Sequence, residues 1–263
     1  MEPRNLSVRL ADSVAYVTLG RPAVRNAFNA ELIGELHHTF EALGSDGSVR
    51  AIVLAGEGKT FCGGADVQWM RASLDLSRDD NLEDARRMSR MFRALDRCPK
   101  PVIARVQGAA LGGGAGLVAS CDVAIAASDA LFGFTETKLG ILPAVISPFV
   151  LAKIGTTHAR ALALTGERFG AERAQAIGLI HEIVPAEADL DAAVARVLGE
   201  VATASPTGIA ATKALFAEVI ASDYDATLDL TAQAIAAQRT STEGQDGLRA
   251  FLEKRRPAWA PAL

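Results

Sequence analysis

The sequence predicts an α/β fold followed by a helical C-terminal region. Apolar strand-like runs alternate with helical periods over the first half of the chain. After Pro143 the pattern becomes almost continuously helical. Because 49% of the 263 residues are hydrophobic, the chain can bury one substantial core. The expected division is an α/β core over 1–200 and a helical region over 201–263.

SVAYVTLG reads as a strand. NAELIGELHHTFEALG reads as an amphipathic helix with Asn29 as its N-cap, and RAIVLAGEG as a buried strand ending at glycines. LEDARRMSRMFRALDRC is helical, PVIARVQG is a strand, GGGAGLVASC opens a short helix, and DVAIAASD is again a strand. Parallel crossovers follow from this alternation. Helical stretches then run through ISPFVLAKIG, HARALALTG, AERAQAIGL and DLDAAVARVLGEVATAS to LRAFLEKRR. In ISPFVLAKIG, Ser147 reads as an N-cap with Pro148 in the first turn. The polar segment from Ala72 to Asp84 is expected to be a mobile loop.

A net charge of −4 offers no general attraction for nucleic acid; Lys254-Arg255-Arg256 is a local basic cluster suited to a phosphate. MEPRNLSVRLADS lacks the features of a secretory signal, and no apolar run is long enough to span a membrane, so a cytoplasmic protein is expected. Cys62, Cys98 and Cys121 are too widely spaced for a CxxC site and read as buried thiols. His37 and His38 are consecutive on a helix, and His158 and His181 have no ligand-spaced neighbours; all four read as surface or core filler. No metal is expected.

Spacing excludes several familiar motifs. GEGKT would need a glycine at Val53 to be a phosphate loop, and a dinucleotide fingerprint from Gly112 would need one at Leu117. What remains is a pair of glycine turns after successive strands, FCGGAD after RAIVLAGEG and ALGGGAG after PVIARVQG. Bare backbone lets a ligand approach closely, and two such turns can aim two N–H groups at one oxygen, the arrangement of an oxyanion hole. The same glycines also serve close packing of helix against strand, and spacing does not separate the two uses.

TFCGGADV, GAALGGGAGLVASCDVAIAASDALFGFTETKLGILPA and LTGERFGAERAQAIGLIHEIVP resemble, in order, the signature regions of the enoyl-CoA hydratase/isomerase (crotonase) family. RPAVRNAFNAEL and AFLEKRRPAW extend the resemblance over essentially the whole chain. It implies a spiral of ββα units, a helical C-terminal trimerisation region, and trimers or hexamers. It implies an acyl-CoA thioester substrate, with no cofactor beyond the coenzyme A of the substrate. Ala65 and Gly113 match the positions whose backbone N–H groups hold the thioester oxygen. Arg25, Cys62 and Asp66 resemble positions along the coenzyme A pocket, and Phe251 and Lys254 match positions that reach its nucleotide end.

Hydratases of this family typically carry two glutamates. Glu136 in FGFTETKLG matches the second, whereas the first falls at Gly116, which cannot transfer a proton. One carboxylate suffices to move a proton between Cα and Cγ, the isomerase reaction. LPAVISPFVLAKIG, however, is similar to a segment of bacterial methylglutaconyl-CoA and carboxygeranoyl-CoA hydratases of leucine and isoprenoid breakdown. Gly116 is accordingly expected to enlarge the acyl pocket. The reading is a hydratase ahead of an isomerase, with a non-catalytic acyl-CoA-binding protein as a further alternative.

Overall fold

The computed structural model describes residues 3–260, so the outer ends of the ranges 1–200 and 201–263 lie outside the described residues. The chain divides into two compact units. One comprises the residues up to Cys98 with Val102–Val194, and the other Pro99–Pro101 with the residues from Ala195 onward.

The first unit runs β1 (Leu6–Ala11), β2 (Val14–Leu19), α1 (Ala30–Ser45), β3 (Ala51–Gly56), α2 (Val67–Ser73), α3 (Arg78–Asp96), β4 (Val102–Val106), β5 (Ala109–Leu111) and α4 (Gly113–Ser120). It continues with β6 (Val123–Ala127), β7 (Leu131–Gly133), α5 (Ser147–Thr165), β8 (Arg168–Gly170), α6 (Ala171–Ala176), β9 (Glu182–Val184) and the start of α7 (Leu190–Thr203). A six-stranded sheet has the order β1-β2-β3-β4-β6-β9, and a three-stranded sheet the order β5-β7-β8. Only β1 and β2 pair antiparallel in the large sheet; its other neighbours are parallel. Successive ββα units, β4–β5–α4 and β6–β7–α5, thus send one strand to each sheet. Cys62 bridges to Ala110 in parallel, carrying the same turn of the spiral back to the segment after β3.

Residue chemistry accounts for the main elements. The Asn29 side chain accepts the Leu32 N–H at 2.9 Å and starts α1, whose Leu32, Ile33, Leu36, Phe40 and Leu43 are buried. Strands β3 and β4 are buried along nearly their whole length, as parallel strands covered on both faces require. Lys153, from α5, donates its ammonium to Cys121 O and Asp122 O, the carbonyls just past the end of α4.

Several expectations need correction. Residues 78–84 are not a loop: the Ser77 hydroxyl accepts the Asp80 N–H at 3.1 Å and starts α3, and Asp79 and Asp80 favour its first turn. The region after Pro143 is not purely helical, because β8 pairs with β7 and β9 completes the edge of the large sheet. Three-residue strands are too short to show a period of two, so pairing rather than pattern fixes them. The N-cap of α5 is Ile146, not Ser147; the Ser147 hydroxyl donates back to Ala144 O at 2.7 Å. Gly155 (φ 68°) breaks α5 between the two helical stretches read from sequence. His181 is more than filler: its ring Nδ1 accepts the Ala124 N–H at 3.0 Å, and desolvation of the ring together with the nearby Lys153 charge lowers its proton affinity.

In the second unit, α8 (Pro206–Ala221), α9 (Tyr224–Thr240) and α10 (Thr242–Leu252) follow the remainder of α7. Glu243 at the start of α10 accepts from the Ser205 hydroxyl and from the Thr207 N–H and hydroxyl, fixing the start of α8. The Trp259 indole donates to Thr203 O at 3.0 Å. Phe216, Ile220, Tyr224 and Leu228 of α8 and α9 are exposed. All three cysteines are buried. Among the described residues no helix is long and apolar enough to cross a membrane.

Candidate active site

The first glycine turn is held by the loop that precedes α1. Asn26, buried and in the left-handed region (φ 55°), accepts the Arg21 N–H at 2.9 Å. Its amide donates to Glu57 O at 2.9 Å and Thr60 O at 2.7 Å. The sequence reading missed Asn26; the residue type signals a turn but not three buried hydrogen bonds. The loop then pairs with residues 63–66. Gly63 N–H donates to Arg25 O at 2.8 Å, Phe28 N–H to Gly64 O at 2.7 Å, and Asp66 N–H to Phe28 O at 2.9 Å. Gly64 N–H is engaged with the Cys62 thiol. Ala65 N–H donates to no acceptor among the described residues.

The second turn lies against the first. A Cβ on Gly64 would stand 2.9 Å from Leu111 O, and one on Gly113 would stand 2.7 Å from the Phe28 ring. Gly112 has φ 52° and ψ −121°, a conformation that side-chain-bearing residues rarely adopt, and its N–H donates to Gly133 O at 2.8 Å. Gly113 N–H, at the first position of α4, also donates to no acceptor among the described residues. Both turns therefore present one uncommitted N–H each, at Ala65 and Gly113.

Glu136 reaches this place because the Gly112–Gly133 bond ties β7 to the triple glycine. The chain then turns through a short 3-10 helix, Glu136–Leu139. Its Oε1 would lie 3.2 Å from a Cβ on Gly112, so any side chain there would press on the carboxyl group. Glu136 Oε2 is buried with no hydrogen-bond partner. Burial pushes this carboxyl above the usual carboxylate range. A desolvated carboxyl with one oxygen unpartnered, lying against Gly112, can accept and return a proton, and uncommitted amides can hold a developing oxyanion.

Gly116 does not open the acyl pocket. A Cβ at this position would lie 2.3 Å from Ile146 Cγ2, 2.9 Å from Ile146 Cβ and 3.2 Å from the Phe92 ring. Ile146 is buried at the start of α5, and Phe92 packs edge-on to Phe28 with centroids 6.1 Å apart. The volume left by the missing side chain is filled by a branched carbon skeleton. The three atoms nearest to that Cβ are all carbons.

The other expected positions separate. Arg25 is exposed beside Gly63. Cys62 contributes no surface; its thiol lies 3.2 Å from Asn26 O and burial pushes it up to about 12, so its side chain is packing rather than a ligand contact. The Asp66 carboxylate is likewise committed, accepting the Gln68 N–H at 2.8 Å as cap of α2 and pairing with Arg21 at 2.8 Å. Burial alone would raise this carboxyl, but the Gln68 amide and Arg21 outweigh it and hold it below its usual range. Phe251 and Lys254 are exposed in the second unit. Among the described residues no cluster of His, Cys, Asp and Glu could hold a metal ion.

Known proteins share this sequence and architecture along almost the whole chain. The profile of the family described as enoyl-CoA hydratase/isomerase matches residues 9–261. A short-chain-enoyl-CoA hydratase of Clostridium acetobutylicum is 30% identical over 97% of this chain and 97% of its own. The crystal structure of an enoyl-CoA hydratase from Shewanella pealeana superposes with a TM-score of 0.94 at 40% identity, covering 98% of this chain and 97% of that one. Pseudomonas aeruginosa AtuE gives a TM-score of 0.95 at 38% identity over 98% of this chain and 100% of that one. Two glycine turns on a ββα spiral, with the half-buried Glu136 carboxyl against the second, are thus set in a crotonase-type fold, and the chain belongs to the enoyl-CoA hydratase/isomerase family.

Proposed function

We propose that the protein adds water to, or removes it from, the α,β double bond of an enoyl-CoA thioester through an enolate. The observation that carries this is the pair of uncommitted N–H groups, Ala65 and Gly113, on abutting turns, with the Glu136 carboxyl, whose Oε2 has no partner, against Gly112. With the thioester oxygen between the two amides, the electron pair displaced from the double bond rests on that oxygen. In hydration, water oxygen bonds to Cβ, Glu136 takes the proton that the water loses and returns it to Cα of the enolate, restoring the carboxylate and the thioester carbonyl; the reverse order removes water. Arg25 lies at the rim of the first turn, in reach of a coenzyme A chain. Phe251 and Lys254 are proposed to meet the nucleotide end. The likeness of residues 142–155 to hydratases of branched acids supports a branched acyl group bearing a second carboxylate.

One observation favours a second reading. Position 116 is a glycine packed against carbon and supplies no carboxylate, which fits proton transfer between Cα and Cγ by Glu136, the isomerase reaction. Incubation with straight and branched 2-enoyl-CoA and 3-enoyl-CoA thioesters, with products separated by chromatography, distinguishes them. A 3-hydroxyacyl product from a 2-enoyl thioester is expected. Bond migration without hydration would establish the isomerase, and binding of a coenzyme A ester without any turnover would leave an acyl-CoA-binding protein.

Assembly as a trimer, or as a hexamer of two trimers, is proposed for the same chain. The exposed Phe216, Ile220, Tyr224 and Leu228 support it, since large apolar side chains left exposed on helices are available for an interface. Light scattering should give three or six chain masses, and a monomer at micromolar concentration would reject it. A cytoplasmic setting, where thiols stay reduced, suits the three buried cysteines.

A further inference from the structure

We propose that Arg21 is a positioning residue that sets the direction of the Ala65 N–H by clamping both strands of backbone beside it. The proposal rests on the reading above, in which that N–H holds the thioester oxygen. One prong of the guanidinium pairs with Asp66 Oδ2 at 2.8 Å, and the other donates to Ala27 O. Both side chains of the pair are largely buried, at 17% and 8% exposure. Asp66 follows Ala65 directly, and Ala27 precedes Phe28. Phe28 in turn holds Gly64 O and Asp66 N–H through its own backbone, and its ring lies against Gly113.

The peptide carrying the Ala65 N–H is therefore fixed by Phe28 on either side and by Arg21 through the next side chain. Loss of the clamp leaves Asp66 with its cap bond to Gln68 but frees the turn to rotate about Ala65. A donor rotated off its target weakens the stabilisation of the enolate more than the binding of the ground-state thioester. An ion pair that merely supported the fold would lower thermal stability and leave that balance unchanged.

The test uses Arg21→Met and Arg21→Lys in the full chain, with three readouts: thermal midpoint, kcat and KM on crotonyl-CoA, and the isotope-edited infrared carbonyl stretch of bound 1-¹³C-butyryl-CoA. In the unaltered protein the bound carbonyl should absorb at lower frequency than in water. Arg21→Met should lower kcat roughly ten- to hundredfold, change KM by less than about threefold, and return the carbonyl toward its frequency in water. Arg21→Lys keeps the charge on Asp66 but loses the planar fork, and should fall between the two. Should Arg21→Met fail to fold, Asp66→Asn, which keeps an acceptor for Gln68, is read in its place and should show the same fall in kcat and carbonyl shift. A lowered midpoint with kcat and carbonyl frequency unchanged would overturn the positioning role and leave the oxyanion site standing. An unshifted carbonyl in the unaltered protein would instead overturn the oxyanion reading, and this proposal with it.

Discussion

Glu136→Gln is expected to lower kcat by about 10²–10⁴ while leaving thioester affinity nearly unchanged. The amide keeps the shape of the carboxyl group, which lies against Gly112, but cannot take or give the proton. The same substitution should raise the thermal midpoint at neutral pH. Burial raises the carboxyl's folded-state proton affinity, so Glu136 is best tolerated below the pKa it has in the unfolded chain. As pH rises through and above the folded value, the buried carboxylate costs stability that a neutral amide does not. The midpoint difference between variant and parent should therefore grow with rising pH across the carboxylate range and shrink again in acid. Steady-state kinetics and melting curves over pH check both halves. Turnover that survives in Glu136→Gln would place the proton transfer elsewhere, and a midpoint that falls would contradict the desolvation argument.

Gly116→Glu is expected to destabilise the fold rather than supply the missing acid. The new Cβ would begin 2.3 Å from Ile146 Cγ2, and a β-branched side chain buried at the head of α5 has few rotamers into which to retreat. Overpacking with a carboxylate buried among carbons should cost roughly 3 kcal/mol or more, a fall of about 6–12 °C in melting temperature for a chain of this size. Ile146→Ala alone removes buried carbon and should itself be destabilising, by about 2–5 kcal/mol. Combined with Gly116→Glu it should cost clearly less than the two added together, because the smaller residue vacates the space that the glutamate needs. A strictly additive double-mutant cycle would show that the two positions are not in contact.

The α1 helix with its Asn29 cap, the buried parallel strands β3, β4 and β6, and the glycine-opened helix α4 were legible from periodicity and residue type. Strand β1 was not, since Leu6 is its only buried residue and an exposed edge carries little apolar signal. Strands β5, β7, β8 and β9 are three residues long and exist through their partners. Glu136, Ala65 and Gly113 were singled out as candidates through a resemblance of motifs; spacing alone suggested no more than two glycine turns. Asn26 and Arg21 stayed hidden because their roles depend on carbonyls and a carboxylate 6 to 45 positions away in sequence.

By itself the sequence determined the fold class, the family, and the absence of a side chain at position 116. The tertiary structure decided what that absence means. Whether a glycine borders a void or a neighbour depends on a residue brought from thirty positions onward, and here Ile146 occupies the space. Local pattern records which atoms a residue lacks; only packing across distant elements records what fills their place.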